Sequence, residues 1–295
     1  MTDTTQQVAS LRDSAGPMSA VTGWGLGGRT AAIRSVGLWL ALFIILIAIF
    51  GPLLAPQNPS AIDFGSRLMG PTARHWFGTD EAGRDVFSRV LEGARITMSS
   101  VAVVIACGAA AGVLIGTIAA VVGGIVDELL MRITDIGMAF PPLILALGLS
   151  AALGASLRSA IIALAFTWWP RYARLVRAMV ADIQNADYVT AARELGAQRL
   201  WIVRRHILPA TVGTMLVQVT GDVAAVTLTL AGLSFIGVGA QPPQPEWGAM
   251  IADGQTNLPV VWWPILFPGL ALMFTAVSFS LAGDWLRDRY ARDGG

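Results

Sequence analysis

The apolar positions of this chain fall in long uninterrupted runs separated by charged stretches, a pattern that predicts membrane-crossing helices and not the alternation of a soluble domain. No charge occurs from Ser35 to Ile62, and its apolar core, Val36 to Leu54, covers about 30 Å of hydrocarbon at about 1.5 Å per residue. Segment 35–55 is the first expected span. The tail before it, 1–34, opens with a stretch rich in Ser, Thr, Gly and Gln that has no apolar period. A cleaved signal peptide would need a shorter apolar region nearer the N-terminus.

A polar segment follows to residue 95. Its second half predicts a helix opened by Thr79 or Asp80, with Glu81 in the first turn. Val86, Phe87, Val90 and Leu91 form its apolar stripe, so an amphipathic helix lying on the membrane surface is expected within 56–95. The core, 96–285, contains the other spans. Ile96 to Val126 is charge-free and rich in Ala and Gly, which allow close helix approach in lipid. After Asp127, Glu128, Arg132 and Asp135 a third run reaches Leu157, and Pro141-Pro142 must break or kink it. The fourth span, Ser159 to about Trp169, is expected to continue past Pro170 because Arg171, Arg174 and Arg177 share one helical face. A polar stretch to His206 precedes the fifth span, Thr211 to Val238. Gln241 to Trp247 leads to the sixth, Val260 to Ala282, which Gly283 and Asp284 end before a charged tail, 286–295. Trp168, Trp169, Trp247, Trp262 and Trp263 sit near run ends, where indoles occupy the headgroup belt.

Composition agrees: 55% of the 295 residues are hydrophobic and 13% charged. Net charge is near zero and scattered, which leaves no basic stripe for nucleic acid. All 20 basic residues are arginine. Without lysine the chain has neither a nucleotide-binding P-loop nor a Schiff-base amine, so any ATP that drives it is hydrolysed elsewhere. With a cytoplasmic N-terminus and six alternating spans, fourteen arginines fall inside and six outside, which favours both termini in the cytoplasm. Cys107 is alone, and His75 and His206 lie on opposite sides in this topology, so no disulfide and no shared metal are expected. No Ser, His and acid set suggests peptide cleavage.

Asp222 is the only ionisable group deep in the fifth run, where a carboxylate is costly unless it faces water, a partner or the bundle interior. With Gln218 one turn before it and Thr229 two turns after, it lines a translocation path or else holds helices or subunits together. Pro141 belongs to the same candidate path.

Residues 188–209 form a loop far longer than a plain connection needs. They predict a short helix ending near Gly196 and a second ending before Pro209, either a docking element or a hairpin covering the bundle end. This segment resembles the signature of ABC importer permeases, E-A-A, three residues, G, nine residues, I-x-L-P. Ala191, Ala192, Gly196, Leu208 and Pro209 match, whereas Thr190 stands where the glutamate falls and His206 where the isoleucine falls. The stretch from His75 to Arg89 resembles H-x-x-G-T-D-x-x-G-R-D-x-x-S-R, and Leu233 to Gly248 resembles L-S-F-L-G-L-G-x-x-P-P-x-P-x-W-G, both of the C-type subunits of dipeptide, oligopeptide and nickel permeases. Leu230 departs from an acidic position of that branch.

The resemblance implies an all-α membrane protein of six transmembrane helices with the type I ABC importer permease fold. It implies a coupling segment, Thr190, Ala191, Ala192, Arg193, Glu194, Leu195, Gly196 and Ala197, that docks on an ATPase. It also implies a homologous permease subunit, two nucleotide-binding ATPase subunits that use ATP and Mg²⁺, an external substrate-binding protein and membrane lipid as partners. The chain itself would bind no cofactor and catalyse no reaction, and it would sit in the cell inner membrane as a multi-pass subunit. The rivals are an ion-coupled secondary transporter, a membrane scaffold and a membrane-embedded enzyme. One buried acid and no evident repeat speak against the first.

Overall fold

A computed structural model describes residues 26–293, with side chains over 35–290, so most of the expected tail 1–34 lies outside the described residues. All the named elements are helical: α1 Leu26–Leu54, α2 Val86–Val122, α3 Gly124–Ala139, α4 Pro142–Leu153, α5 Leu157–Gln184, α6 Asp187–Glu194, α7 Arg199–Ile202, α8 Leu208–Phe235, α9 Trp247–Gly254 and α10 Trp263–Asp293. Among the described residues, four helical stretches are long and apolar enough to cross a membrane: Ser35–Leu54, Val86–Val122, Arg199–Phe235 and Trp263–Tyr290. Helices α3 and α4 pass only as a pair and meet at 91°. Pro141 and Pro142 account for the break, since neither supplies the N–H that would continue the ladder. Helix α5 is 28 residues long and runs through Pro170 as expected, but the arginines of its second half keep its hydropathy below that of a plain span.

The close approaches of glycines fix helix direction. Gly37 near the start of α1 lies against Leu281 late in α10, and Gly51 near its end lies against Leu91 early in α2. Helices α2 and α5 run parallel. Gly108, Gly112 and Gly116 of α2 meet Trp168, Tyr172 and Ala173 of α5, and a Cβ on Gly112 would fall 2.3 Å from that of Tyr172. Three glycines at intervals of four thus form the flat stripe that lets two backbones touch where hydrophobic burial alone gives lipid no disadvantage. Gly213 at the start of α8 packs on Tyr290 at the end of α10. The chain therefore alternates between two ends: a loop end holding α6, α7 and the starts of the span Ser35–Leu54 and of α8, and an opposite end holding the starts of α2 and α10 together with α9.

Several expectations are corrected. No helix opens at Thr79 or Asp80; α2 opens at Val86 with Asp85 as its cap and continues unbroken through the second span. The stripe residue Val86 is buried in the core beside Trp247 and Met250, so this segment is not a surface helix. Helix α1 begins at Leu26, and α10 runs past Gly283 to Asp293. Gly283 is a crossing point, with its Cβ position 3.2 Å from the Gly221 backbone of α8. Pro209 does not end a helix either. Residues Val203–Ile207 form a π turn in which the Leu208 N–H bonds to the Val203 carbonyl, and this wider turn takes up Pro209 within one continuous helix.

Candidate functional site

The loop end carries the predicted docking segment. Helix α6 ends on Gly196 with φ of +83°, the left-handed conformation glycine adopts at no steric cost. The Gly196 N–H bonds to the Arg193 carbonyl at 2.9 Å and the Ala197 N–H to the Ala192 carbonyl at 3.0 Å, a Schellman closure. Val189 alone of α6 is fully buried and pins the helix to the bundle. Thr190, Ala191, Arg193, Glu194, Leu195 and Gly196 are exposed, and Ala192 and Ala197 half-buried. Leu195 is 89% exposed, and Tyr188, Leu200 and Trp201 are at least half exposed. The His206 ring contacts two members of this apolar platform, Tyr188 at 5.6 Å and Trp201 at 5.1 Å. A groove of about 320 Å³ beside it is lined by Gln198, Leu200, Trp201, Arg204 and Arg205.

Along α5 the three arginines form a ladder. Arg177 pairs with Asp127 of α3 through two contacts of 3.1 and 2.6 Å. Arg174 pairs with Asp135 of the same helix. Arg171 reaches Asp222 of α8 at 3.4 Å and stacks 5.7 Å over the Trp168 ring. Asp222 is buried and also accepts from the Gln218 amide at 3.0 Å. The structure thus joins Asp222 to Gln218 but not to the other two expected path residues. The Thr229 hydroxyl donates to the Ala225 carbonyl of its own helix, and Pro141 is exposed at the break between α3 and α4. The pairing of Asp222 with Arg171, 51 residues away, escaped sequence reasoning; the arginine face was visible, but its acid partners on two other helices were not.

The end opposite the loop is built by the two long motif blocks, which pack on each other. Asp80 Oδ1 accepts from the Ala82 and Arg84 N–H groups, both at 2.9 Å, while its Oδ2 lies 2.7 Å from Arg84 Nε and 3.3 Å from Arg89 Nε. Gly83, with φ of +73°, allows this turn, because a Cβ there would collide with the Asp63 carbonyl at 1.7 Å. Asp85 caps α2 by accepting from the Ser88 N–H at 2.8 Å and holds His75 at 3.0 Å. In the second block, Glu246 is fully buried; it caps α9 and accepts from the Thr97 hydroxyl. Trp247 donates to the Val90 carbonyl at 3.0 Å and fills the space opposite Gly93. Trp247 and Trp168 are therefore core residues and not headgroup anchors, whereas Trp262 is exposed as expected. A cavity of about 630 Å³ opens between the blocks, lined by Asp80, Arg84, Arg89, Asp253 and Phe64 among others.

These features define a polytopic helical membrane protein with an exposed helical loop at one end, and comparison with known proteins specifies which. Residues 112–293 match the family described as binding-protein-dependent transport system inner membrane component, and residues 35–71 match the N-terminal TM domain of oligopeptide transport permease C. The chain belongs to this family: it is a C-type permease subunit of an ABC importer, not an ion-coupled carrier and not an enzyme, and ATP hydrolysis lies in separate subunits. It is 42% identical over 265 residues to the probable D,D-dipeptide transport system permease protein DdpC of Escherichia coli K12, covering 90% of this chain and 88% of that protein. It is 40% identical over 253 residues to the dipeptide transport system permease protein DppC of Alkalihalophilus pseudofirmus, covering 86% and 83%. It is 39% identical over 276 residues to the glutathione transport system permease protein GsiD of Escherichia coli O6:K15:H31, covering 92% and 91%. A solved structure titled inward facing conformations of the MetNI methionine ABC transporter shares the fold, with a TM-score of 0.56 at 20% identity over 70% of this chain and 96% of that one. Membership implies a partner permease and ATPase subunits, in the inner membrane.

Proposed function

We propose that this subunit forms, with a homologous second permease, the path by which short peptides cross the inner membrane. An external substrate-binding protein delivers the cargo at the outer end. The loop end and both termini face the cytoplasm, where two ATPase subunits bind ATP with Mg²⁺ and dock on residues 190–197. The observation that carries this reading is the platform at the loop end: Tyr188, Leu195, Leu200 and Trp201 are large apolar side chains left exposed on an arginine-rich surface. Apolar anchors ringed by charge are the composition of a protein interface. The Schellman closure makes α6 rigid enough to transmit movement, and ATP binding would bias a two-state change between outward and inward openings. The arginine ladder ties α5 to α3 and α8, so a push on α6, which follows α5 directly, reaches the helices around Asp222. The cargo class rests on the peptide names of the relatives.

Leu195→Glu tests the docking role, because this side chain touches solvent and its loss leaves the bundle intact. Affinity purification of the tagged chain should retain a second permease and ATPase subunits, and the variant should lose ATPase association or coupling by about tenfold or more. Gly196→Arg, which strains the closure, should act in the same direction. Purification of the chain alone, with uptake driven by an ion gradient without ATP, would refute the assignment.

A further inference from the structure

The cavity at the outer end holds one acid that the fold meets only with a distant guanidinium, Arg84 at 4.0 Å. Asp80 is satisfied by two backbone N–H groups and two guanidinium groups. Arg89, whose side chain is 2% exposed, is also held near the Pro59 and Pro243 carbonyls at 3.4 and 3.3 Å. Glu81 is paired with Arg67 at 2.6 Å on the rim. Asp253, at the end of α9, differs from all of these. Its side chain is 32% exposed, its sole ion contact is 4.0 Å to Arg84 Nη2, and among the described residues its carboxylate accepts no hydrogen bond. Burial raises its pKa above the usual carboxylate value, against the pull of Arg89 and Arg84. A carboxylate has about four acceptor sites, and those of Asp253 open onto the cavity, where a ligand that carries donors can fill them.

We infer that this cavity is a binding site for a primary ammonium group, the free amino terminus of a short peptide, which Asp253 receives at the outer end of the subunit. An ammonium offers three donors on one compact charge and supplies what Asp253 lacks. The volume of about 630 Å³ lies within the range of small-molecule sites and holds a peptide of two or three residues. The lining balances Arg67, Arg84 and Arg89 against Asp80, Glu81 and Asp253; Asp80 takes the Nε groups of Arg84 and Arg89 and Glu81 takes Arg67, so among the described residues Asp253 is the lining acid left without a hydrogen-bond donor, while the Phe64 and Met250 wall offers apolar contact to side chains. The inference rests on the importer reading for the identity of the cargo, but the chemistry of the site is a property of these residues alone.

The test uses the assembled importer without any external binding protein, and its probes are Ala-Ala and N-acetyl-Ala-Ala measured by calorimetry. The wild type should bind Ala-Ala at least about tenfold more tightly than the acetylated form, the discrimination expected when a buried charge loses its donors. Asp253→Asn should abolish that preference, and Asp253→Glu should restore part of it. Thr256→Trp, which fills the cavity from its exposed rim, should weaken both probes. Equal binding of the two probes by the wild type, or an unchanged preference in Asp253→Asn complexes that elute intact on size exclusion, overturns the inference. Absence of ATPase subunits from the purified complex would overturn the importer reading, and the peptide preference of the chain itself would still decide this one.

Discussion

Removing Arg171 should expose what Asp222 costs. The Asp222 side chain is 5% exposed, and Arg171→Ala leaves it with the Gln218 amide at 3.0 Å and the neighbouring Tyr172 hydroxyl but no cation. Stripping a buried charge of its partner costs about 3–5 kcal/mol in protein interiors, and placing an acid at the bilayer centre costs about 2.5–3.5 kcal/mol on insertion scales. Arg171 is itself 47% exposed, so the pair is partly screened and the expected loss falls to about 2 kcal/mol. Loss of its stacking on Trp168 adds about 0.5–1 kcal/mol. Asp222→Asn removes the charge and can keep the Gln218 contact, so it should be mild, and the double variant should recover about 2 kcal/mol of the Arg171→Ala loss. The assay is denaturant titration of the assembled complex in detergent for the wild type, both single variants and the double variant, a cycle that isolates the pairwise contribution. Single effects that simply add would refute the pairing. Uptake measured on the same four proteins separates the two roles of Asp222. A latch predicts that the stable double variant transports, and a path residue predicts that it is stable but slow.

Two further outcomes follow from packing and from charge. Gly112→Leu should destabilise the complex by about 1–3 kcal/mol, because its Cβ would meet Tyr172 at 2.3 Å, whereas Gly148→Leu enters open space and should be near neutral; equal effects in the same titration would mean that α2 and α5 do not touch there. For Asp253 the sign is that of an acid whose folded pKa is raised by burial: the charged form is penalised in the folded state, the penalty is absent below the unfolded value of 3.8, and it sets in as pH rises through the higher folded pKa. Asp253→Asn should therefore raise the melting temperature at pH 7 by an amount that shrinks as pH falls towards 4, and a loss of stability at pH 7 would show that Arg84 and Arg89 outweigh burial.

Features encoded by adjacent residues were legible in the sequence. The apolar runs, the break at Pro141-Pro142, the passage of α5 through Pro170 and the helix end at Gly196 all depend on neighbours within about one turn. The failures share a different cause. Asp80 with Glu81 beside it has the residue types of a helix start, yet its carboxylate is taken by Arg84 and Arg89, and Asp85 caps the helix in its place. Pro209 has the chemistry of a helix stop, but the π turn before it provides the room. Trp247 lies near a run end like a headgroup anchor, but Gly93, far off in sequence, leaves a space its indole fills. Each depends on a partner that no local window contains.

That distinction also orders the motifs by what they do. The two blocks that carry the sharpest resemblance, 75–89 and 233–248, are for the most part turned inward. His75, Asp80, Asp85, Arg89, Glu246 and Trp247 are all buried, and each is committed to a bond within the chain. Their specificity is that of a closed network, in which changing one member leaves another buried and unsatisfied. Contact with partners and cargo needs valence left over, and that is found at the margins of the motifs. Leu195 and Trp201 stand exposed on the loop beside the matched Ala191, Ala192 and Gly196, and Asp253 stands five residues beyond Gly248 with its carboxylate a third exposed and 4.0 Å from Arg84. The resemblance therefore marks the frame most strongly, and the unsatisfied side chains beside it are where function should be sought.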